Sequence, residues 1–518
     1  MKNKIYKISI GLLSIWFMAA CTDLNPVFKD KIASENFFQT ESDFEQATAA
    51  CYGQLQTLSW FGYWFTTSQN SDETCTPSRE GGGWDDGGTH RNMELHDVQP
   101  EQGWPINGVW NNMMSAIAVI NSSINGLSAA SADETVKSKY LAEMRTLRAY
   151  FYWLAIDLYG DIPLVLEAQD ANDPMGNTPR SETVQFLLEE LDWVLGQDIP
   201  EGYVSNPSWF PRVTKTTAKA IKAKILINAG VYTGTERYAE TLDLLEEILN
   251  TDQESALYGG NYFDLFGVNN ENRTDEFVFY ADLSPTDMST NYGNFWPHFS
   301  FHGALTQKYS MAGGPWGGIS IENHFYQSFD ANDQRREGIL VGPQSFDDGS
   351  PLYEDPNAAS PVQLDLNPVF PLRNAPANAG GRIAKWETDP TAINNRMHNG
   401  WPIIRHADLL LMAAECELRV NGTSAAADAY VNQVRARAFE PDMPLSNVTL
   451  DDVFDERGFE LYTEGHRRMD QIRFDKWDIG DFAGDAEYND ASTTTVWPIP
   501  EFALNANKNL NQNDGYGN

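Results

Sequence analysis

The chain is short of cations, of cysteines and of long apolar runs. It holds 36 Lys and Arg against 73 Asp and Glu, a formal net charge of −37. So acidic a surface repels phosphate backbones, which speaks against nucleic acid as a partner. The same field favours neutral or basic ligands over polyanionic ones. There are 4 cysteines and no C-x-x-C, which speaks against a cysteine-built metal site. Cys51 and Cys416 fall in apolar helical patterns and read as small buried hydrophobes, while pairing of Cys51 with Cys75 stays open. No Gly-x-Ser-x-Gly elbow is present to seat a nucleophile. No Gly-Lys-Ser/Thr follows Gly81-Gly82-Gly83, so that glycine run is not a phosphate cradle. His298 and His302 stand four apart, but Pro297 weakens a helical metal pair between them. No catalytic residue, metal or cofactor is expected from these patterns.

The longest apolar run near the start, Ile8 to Phe17, is too short to span a bilayer. It follows Lys2, Lys4 and Lys7 and precedes Met18-Ala19-Ala20-Cys21, the order of an export signal. Small residues before a cysteine resemble the bacterial lipoprotein cleavage box. Residues 1–20 are then a signal peptide, and Cys21 is the first mature residue and carries lipid. Ordinary cleavage near Ala20, with Cys21 incidental, is the alternative. No other stretch is apolar and long enough to cross a membrane, so the chain is expected to be anchored and not to span.

What the chain has is helical periodicity and aromatics. Hydrophobic residues make up 42% and aromatics 12% of its 518 residues, enough for a large core. Thr40-Glu41-Ser42-Asp43 is a capping-box signal, followed by Phe44, Ala47, Cys51, Leu55 and Leu58 at helical spacing. Helices are expected over about 105–127, 134–159, 180–195, 216–232 and 238–250. From about 251 to 399 the helical signal fades into Gly, Pro, Asn and aromatics. It returns over 400–477, with a helix opening at Arg405 and another over about 424–437. The expected division is therefore residues 21–250, an N-terminal helical region with an aromatic loop, and residues 251–518. The latter comprises a loop-rich part (251–399), a helical part (400–477) and a tail.

In the last helical run Glu456, Glu460 and Glu464 lie four apart, so a helix stacks them on one face. They are tolerable there only if cations answer them, and Arg457, Arg467, Arg468, Arg473, Arg405, Arg435 and Arg437 are the candidates. A catalytic acid–base pair and a structural charge clamp are both open readings of the glutamates, with the clamp favoured because no nucleophile accompanies them.

Several segments carry a family resemblance. They are Arg405-His406-Ala407-Asp408 through Glu415, the run Glu456-Arg457-x-x-Glu460-Leu461-x-x-Glu464-Gly465-x-Arg467-x-x-Asp470-x-x-Arg473, and Trp497-Pro498-Ile499-Pro500 with the tail Asn509 to Tyr516. Leu147-Arg148-Ala149, Gly160-Asp161-Ile162-Pro163-Leu164, Asp333-Gln334-Arg335-Arg336 and Ile383-Ala384-Lys385-Trp386 join them. Together these resemble the SusD/RagB family of nutrient-binding outer-membrane lipoproteins of Bacteroidetes. The resemblance implies a mainly α fold, a degenerate tetratricopeptide-like scaffold with a loop-rich ligand-binding portion. It also implies a non-enzymatic, surface-exposed lipoprotein that captures an oligosaccharide and hands it to a TonB-dependent, SusC-like outer-membrane transporter. A lipid-anchored glycoside hydrolase and a peptide-binding member of the family are the alternatives.

A sugar ring offers apolar C–H faces and a rim of hydroxyls, so its site needs flat aromatics and polar groups beside them. Trp60-Phe61-Gly62-Tyr63-Trp64-Phe65 packs five aromatics into six residues and leads into a glycine-rich loop. A second aromatic cluster runs from Tyr292 to Trp316. The candidates are Trp60, Tyr63, Trp64 and Trp84 from the first region and Tyr292, Trp296 and Trp316 from the second, with Asn70, Asp72 and Arg79 as polar contacts.

Overall fold

A computed structural model describes residues 38–169, 172–273, 275–283, 293–392, 395–477 and 494–517. The expected signal peptide, Cys21 and Tyr292 lie outside these residues.

The centre of the molecule is the Glu134–Tyr159 helix. Asp133 caps it, its carboxylate accepting from the Thr135 and Val136 amides. From Tyr150 to Tyr159 every residue is buried, as in a helix surrounded by others. Gly160 stops it at φ +67°, a conformation that favours glycine. The one charge in that last stretch, Asp157, accepts from Arg468 Nη1 at 3.0 Å and the Tyr232 hydroxyl at 2.9 Å.

The Gly108–Ala129 and Arg180–Leu195 helices pack on either side of this one, and Lys215–Ile227 packs on the latter. Tyr238–Glu246 then packs against His406–Asn421, which pairs with Ala425–Arg435. Successive antiparallel-type helix pairs of this kind are the tetratricopeptide-like scaffold expected of the sequence. The helix expected over 216–232 is broken at Asn228, beyond which Ala229–Thr233 forms a separate turn. Between 251 and 399 the longest described helix is Asn323–Ser328, of 6 residues. Among the described residues, four antiparallel two-strand pairs stitch this part together. Thr74–Cys75 pairs with Ser320–Ile321, and Phe277–Ala281 with Trp401–Arg405. Ile339–Leu340 pairs with Arg382–Ile383, and Gly342–Pro343 with Asp365–Leu366. Cys51, Cys75 and Cys416 are buried and free, so Cys51 and Cys75 do not pair.

The glutamate run is a clamp. Its helix, Leu450–Leu461, stops before Glu464, because Thr463 and Gly465 turn the chain at positive φ. Only Glu456 and Glu460 therefore share a helical face, which corrects the three-on-one-face expectation. Glu464 nonetheless converges on the same cations. Arg405 donates to Glu460 at 2.7 Å and to both oxygens of Glu464 at 2.8 Å. Arg435 binds Glu456, Arg437 binds Glu460, and Glu276 accepts from both Arg405 and Arg437. Two further cations arrive from the loop-rich part: Arg335 reaches Glu456 and Glu460, and Lys385 reaches Glu464. On the other side of the helix Arg457 joins Asp408 and Asp470, and Arg473 joins Glu415 and Asp470. Every one of these glutamates is at most 2% exposed, so none is placed to touch a substrate.

Candidate functional site

Two loops meet to make an aromatic platform, and the chain's glycines explain how. Gly62 ends the turn after Leu58; a Cβ there would stand 2.5 Å from Leu58 carbonyl carbon. The chain thus folds tightly between Phe61 and Tyr63 and divides the five aromatics. Trp60 and Phe61 stay half-buried at the surface, while Tyr63, Trp64 and Phe65 enter the Tyr63–Gln69 helix and face the core. Phe61 takes φ +44°, a strained setting for a bulky residue. Trp84 does the same at φ +59°, in a loop whose Gly81, Gly82, Gly87 and Gly88 are all at positive φ.

Trp84 donates its indole N–H to the Trp316 carbonyl at 3.0 Å, joining the first loop to the second. Its ring lies directly on Gly318, where a Cβ would sit 2.3 Å from Trp84 Cε2. Trp316 meets Trp60 edge-on with centroids 5.6 Å apart. Phe61 meets Trp104 at 4.3 Å, and His90 lies against Trp104 at 5.3 Å and against Trp84 at 5.6 Å. Burial lowers the pKa of His90 to about 4, against the pull of Asp86, so the imidazole is neutral at neutral pH. Trp316, Trp60, Phe61 and Trp104 therefore form a continuous arc of ring contacts, and Trp84 joins its two ends through the Trp316 carbonyl and the His90 ring.

At its hub is Phe299, only 2% exposed, within 6.5 Å of Trp60, Phe61, Phe65, Trp84 and Trp316. Edge-to-face and tilted contacts of this kind fix each ring's orientation. All five rim rings remain partly exposed. Beside Trp84, Asp85 and Asp86 are exposed carboxylates able to accept from hydroxyls. A 540 Å³ recess elsewhere, lined by Asp264, Arg273, Lys308, Tyr309, Trp386 and Glu387, is a poorer candidate for a flat ligand. Its one tryptophan, Trp386, is 1% exposed and shows no face.

Trp60, Trp84 and Trp316 are thus brought together. Three other expected contacts are core instead. Trp64 stacks on Trp401 at 4.5 Å, the Tyr63 hydroxyl points at Asp157, and Trp296 packs against Phe65 at 5.5 Å. Each is 2% exposed or less. The helix that begins at Tyr63 turns these first-loop rings inward, and the short Trp296–Ser300 helix does the same for Trp296.

The expected polar contacts are also spent within the protein. Arg79 is buried and donates to the Pro376, Ala379 and Gly318 carbonyls and the Ser320 hydroxyl. It ties the two loops together beneath the platform. Asp72 accepts from Arg467 through both oxygens, at 2.6 and 2.8 Å. Asn70 Oδ1 accepts from Arg468 and from the Trp497 indole. Two rings were missed. Phe61 lay inside the aromatic run, and Trp104, in Gln102-Gly103-Trp104-Pro105, carries the signal of a large aromatic in a turn ahead of a helix. Of His298 and His302, the first bonds the Ala312 carbonyl and the second accepts from the Ala304 amide, so they are not a pair.

Fold and site together define a tetratricopeptide-like helical scaffold that presents a cluster of partly exposed aromatic rings from its irregular half. Residues 263–516 match the sequence profile of the SusD family. The SusD-like protein P25 of Formosa agariphila is 26% identical over 569 aligned residues, covering 99% of each chain. The starch-binding protein SusD of Bacteroides thetaiotaomicron is 25% identical over 430, covering 74% of this chain and 73% of its own. Among solved structures, surface glycan-binding protein A from Bacteroides thetaiotaomicron in complex with laminarihexaose superposes with a TM-score of 0.69. That superposition has 19% identity and covers 91% of this chain and 99% of the other. The chain belongs to the SusD family.

Proposed function

We propose that the platform binds the sugar rings of an oligosaccharide. The observation that carries this reading is the cluster of partly exposed rings, Trp84, Trp316, Trp60, Phe61 and Trp104, the first four of them packed on buried Phe299. Sugar C–H faces lie on such rings, and Asp85 and Asp86 accept from hydroxyls at the margin. The relatives named for starch and for laminarihexaose support a neutral glucan as the ligand. The strongly acidic chain agrees with a neutral ligand.

The protein acts by capture and not by hydrolysis. The glutamates of the C-terminal clamp are buried and paired with arginines, and relatives are named as binding proteins. We place it on the outer membrane, anchored through lipid on Cys21, passing its ligand to a TonB-dependent SusC-like transporter with the helical scaffold as docking face. Labelled palmitate entering the native chain but not Cys21→Ala tests the anchor. Recovery of a barrel protein with the native chain under gentle extraction tests the partner, and its repeated absence counts against delivery.

Affinity electrophoresis against a panel holding starch and laminarin tests the platform. Retardation by one glycan, lost in a folded Trp316→Ala variant, supports capture at this site. Release of shorter products from a bound glycan would make the protein a hydrolase instead. No retardation by any glycan removes the carbohydrate reading and favours a peptide ligand.

A further inference from the structure

Beneath the platform the chain gathers a thiol and two carboxylates. Cys75 lies in the strand paired with Ser320–Ile321, Glu322 directly follows that partner strand, and Glu94 ends the Thr89–Glu94 helix. One donor atom from each of Cys75, Glu94 and Glu322 lies within 4.8 Å of the other two. Their exposures are 0%, 1% and 0%. No donor outside the pair bonds either oxygen of Glu94 or of Glu322, while the two carboxyls reach each other.

Neighbouring carboxylates make this harder to tolerate. Asp72 is committed to Arg467, and Glu73 takes the Ser68 hydroxyl and the Thr463 amide. Arg79 and Arg382 favour the Cys75 thiolate, but their Nη groups bond backbone carbonyls and Ser320, and neither bonds the two glutamates. Among the described residues, the one cation-forming group at Glu322 is His324, whose Nδ1 stands 3.3 Å from Glu322 Oε2. Burial raises the pKa of both carboxyls well above the ordinary range, and that of the thiol too. Two buried acids satisfied only by each other, focused on one point with a sulfur, form a donor set that a cation can take over from protons.

We propose that Cys75, Glu94 and Glu322 form a buried structural site for a divalent cation of the zinc class, with His324 orienting Glu322 from the surface. A thiolate together with carboxylates selects a borderline-soft ion over calcium or magnesium. Zinc holds sulfur at about 2.3 Å and carboxylate oxygen at about 2.1 Å, so donors this close need only small shifts to close around it. Binding displaces the thiol proton and any proton shared by the two carboxyls. The ion ties the Thr89–Glu94 helix to the strand pair that carries both platform loops. This revises the expectation, drawn from the missing C-x-x-C, that no metal is held: the ligands come from three separate segments, which short-range spacing does not reveal.

The test uses the purified full chain, made metal-free with a chelator and then given Zn²⁺ or Co²⁺. One ion binds per chain and Tm rises. The Co²⁺ form shows a near-ultraviolet thiolate-to-cobalt band, lost in Cys75→Ser and kept in Cys51→Ser and Cys416→Ser. The double variant Glu94→Gln/Glu322→Gln takes up no ion, and its Tm does not respond to Zn²⁺. That variant keeps the test decisive if Cys75→Ser fails to fold. The proposal is overturned if no ion binds and Tm is metal-independent, or if the band survives in Cys75→Ser. It is overturned equally if the metal-free pair merely shares a proton, seen as a Tm that responds to pH and not to Zn²⁺.

Discussion

Arg405 and Glu460 meet at 2.7 Å in a place where neither side chain is exposed to solvent. Arg405 opens the His406–Asn421 helix and Glu460 lies near the end of Leu450–Leu461, so this one contact clamps two segments distant in sequence. The pair does not stand alone, since Arg405 also holds Glu276 and Glu464. Removing the guanidinium leaves three buried carboxylates short of a donor. Arg405→Met is expected to destabilise the protein by about 3–5 kcal/mol, read as a lower denaturant midpoint at an unchanged slope. A variant that unfolds like the parent would mean that water or Arg437 takes over the vacated bonds.

The same cluster sets an acid limit. Burial by itself would raise the Glu460 pKa, but Arg437, Arg405 and Arg335 outweigh it and hold it at about 2, below its ordinary 4.5. Burial likewise opposes the lowering of the Asp470 pKa, and Arg457 and Arg473 outweigh it and hold it at about 2. A carboxylate depressed in the fold contributes stability that is complete above its unfolded value and is lost as pH falls through its folded one. Stability supplied by Glu460 is thus expected to drain between 4.5 and about 2. Denaturant midpoints of the parent and of Arg405→Met should differ most from about pH 5 upward and converge as pH falls towards about 2. A gap independent of pH would show that the guanidinium acts there by packing alone.

Core and platform tryptophans should separate cleanly. Trp64 and Trp296 are 2% exposed, and truncating either to Ala is expected to cost about 3–5 kcal/mol of stability. Trp84 and Trp316 are half-buried, so Trp84→Ala and Trp316→Ala should lose less stability. They should lose about 1–3 kcal/mol of glycan affinity, a weakening of roughly tenfold or more. Melting curves beside affinity electrophoresis make the comparison. If Trp84→Ala binds as the parent does, the platform is not the site.

How much of this could be read from the residues depends on range. The Glu134–Tyr159 and Arg180–Leu195 helices were legible to the residue, because caps and periodicity are local signals. The charge clamp was legible in kind: acids four apart demand cations nearby. Arg335 and Lys385, which reach Glu456 and Glu464 from the loop-rich part, were not, since nothing local links them. The aromatic run showed that rings would cluster and left their sides undecided. That division rests on the close turn at Gly62, a steric fact of the folded chain. Arg79 misled for a related reason. A cation in a glycine-rich loop looks available, yet its donors are consumed by carbonyls from two distant segments.

Gly318 gives the sharpest test of how the platform is built. Its amide donates to the Phe299 carbonyl at 2.8 Å, and its own carbonyl accepts from Arg79 Nη2 at 2.7 Å. The backbone is therefore held from both sides and has little room to retreat. A methyl there would lie 2.3 Å from Trp84 Cε2 and 2.5 Å from Cδ2, inside any real contact distance. The indole must swing away, breaking its bond to the Trp316 carbonyl and detaching Trp84 from the ring cluster. Gly318→Ala is thus expected to weaken glycan binding about as much as Trp84→Ala does, though it removes no aromatic. Because both changes act through one ring, they should not add: Gly318→Ala/Trp84→Ala should bind no worse than Trp84→Ala alone, to within about 0.5 kcal/mol. Full additivity would mean that Gly318 shapes the site by a route other than Trp84, and that the ring's seat on the glycine does not position it.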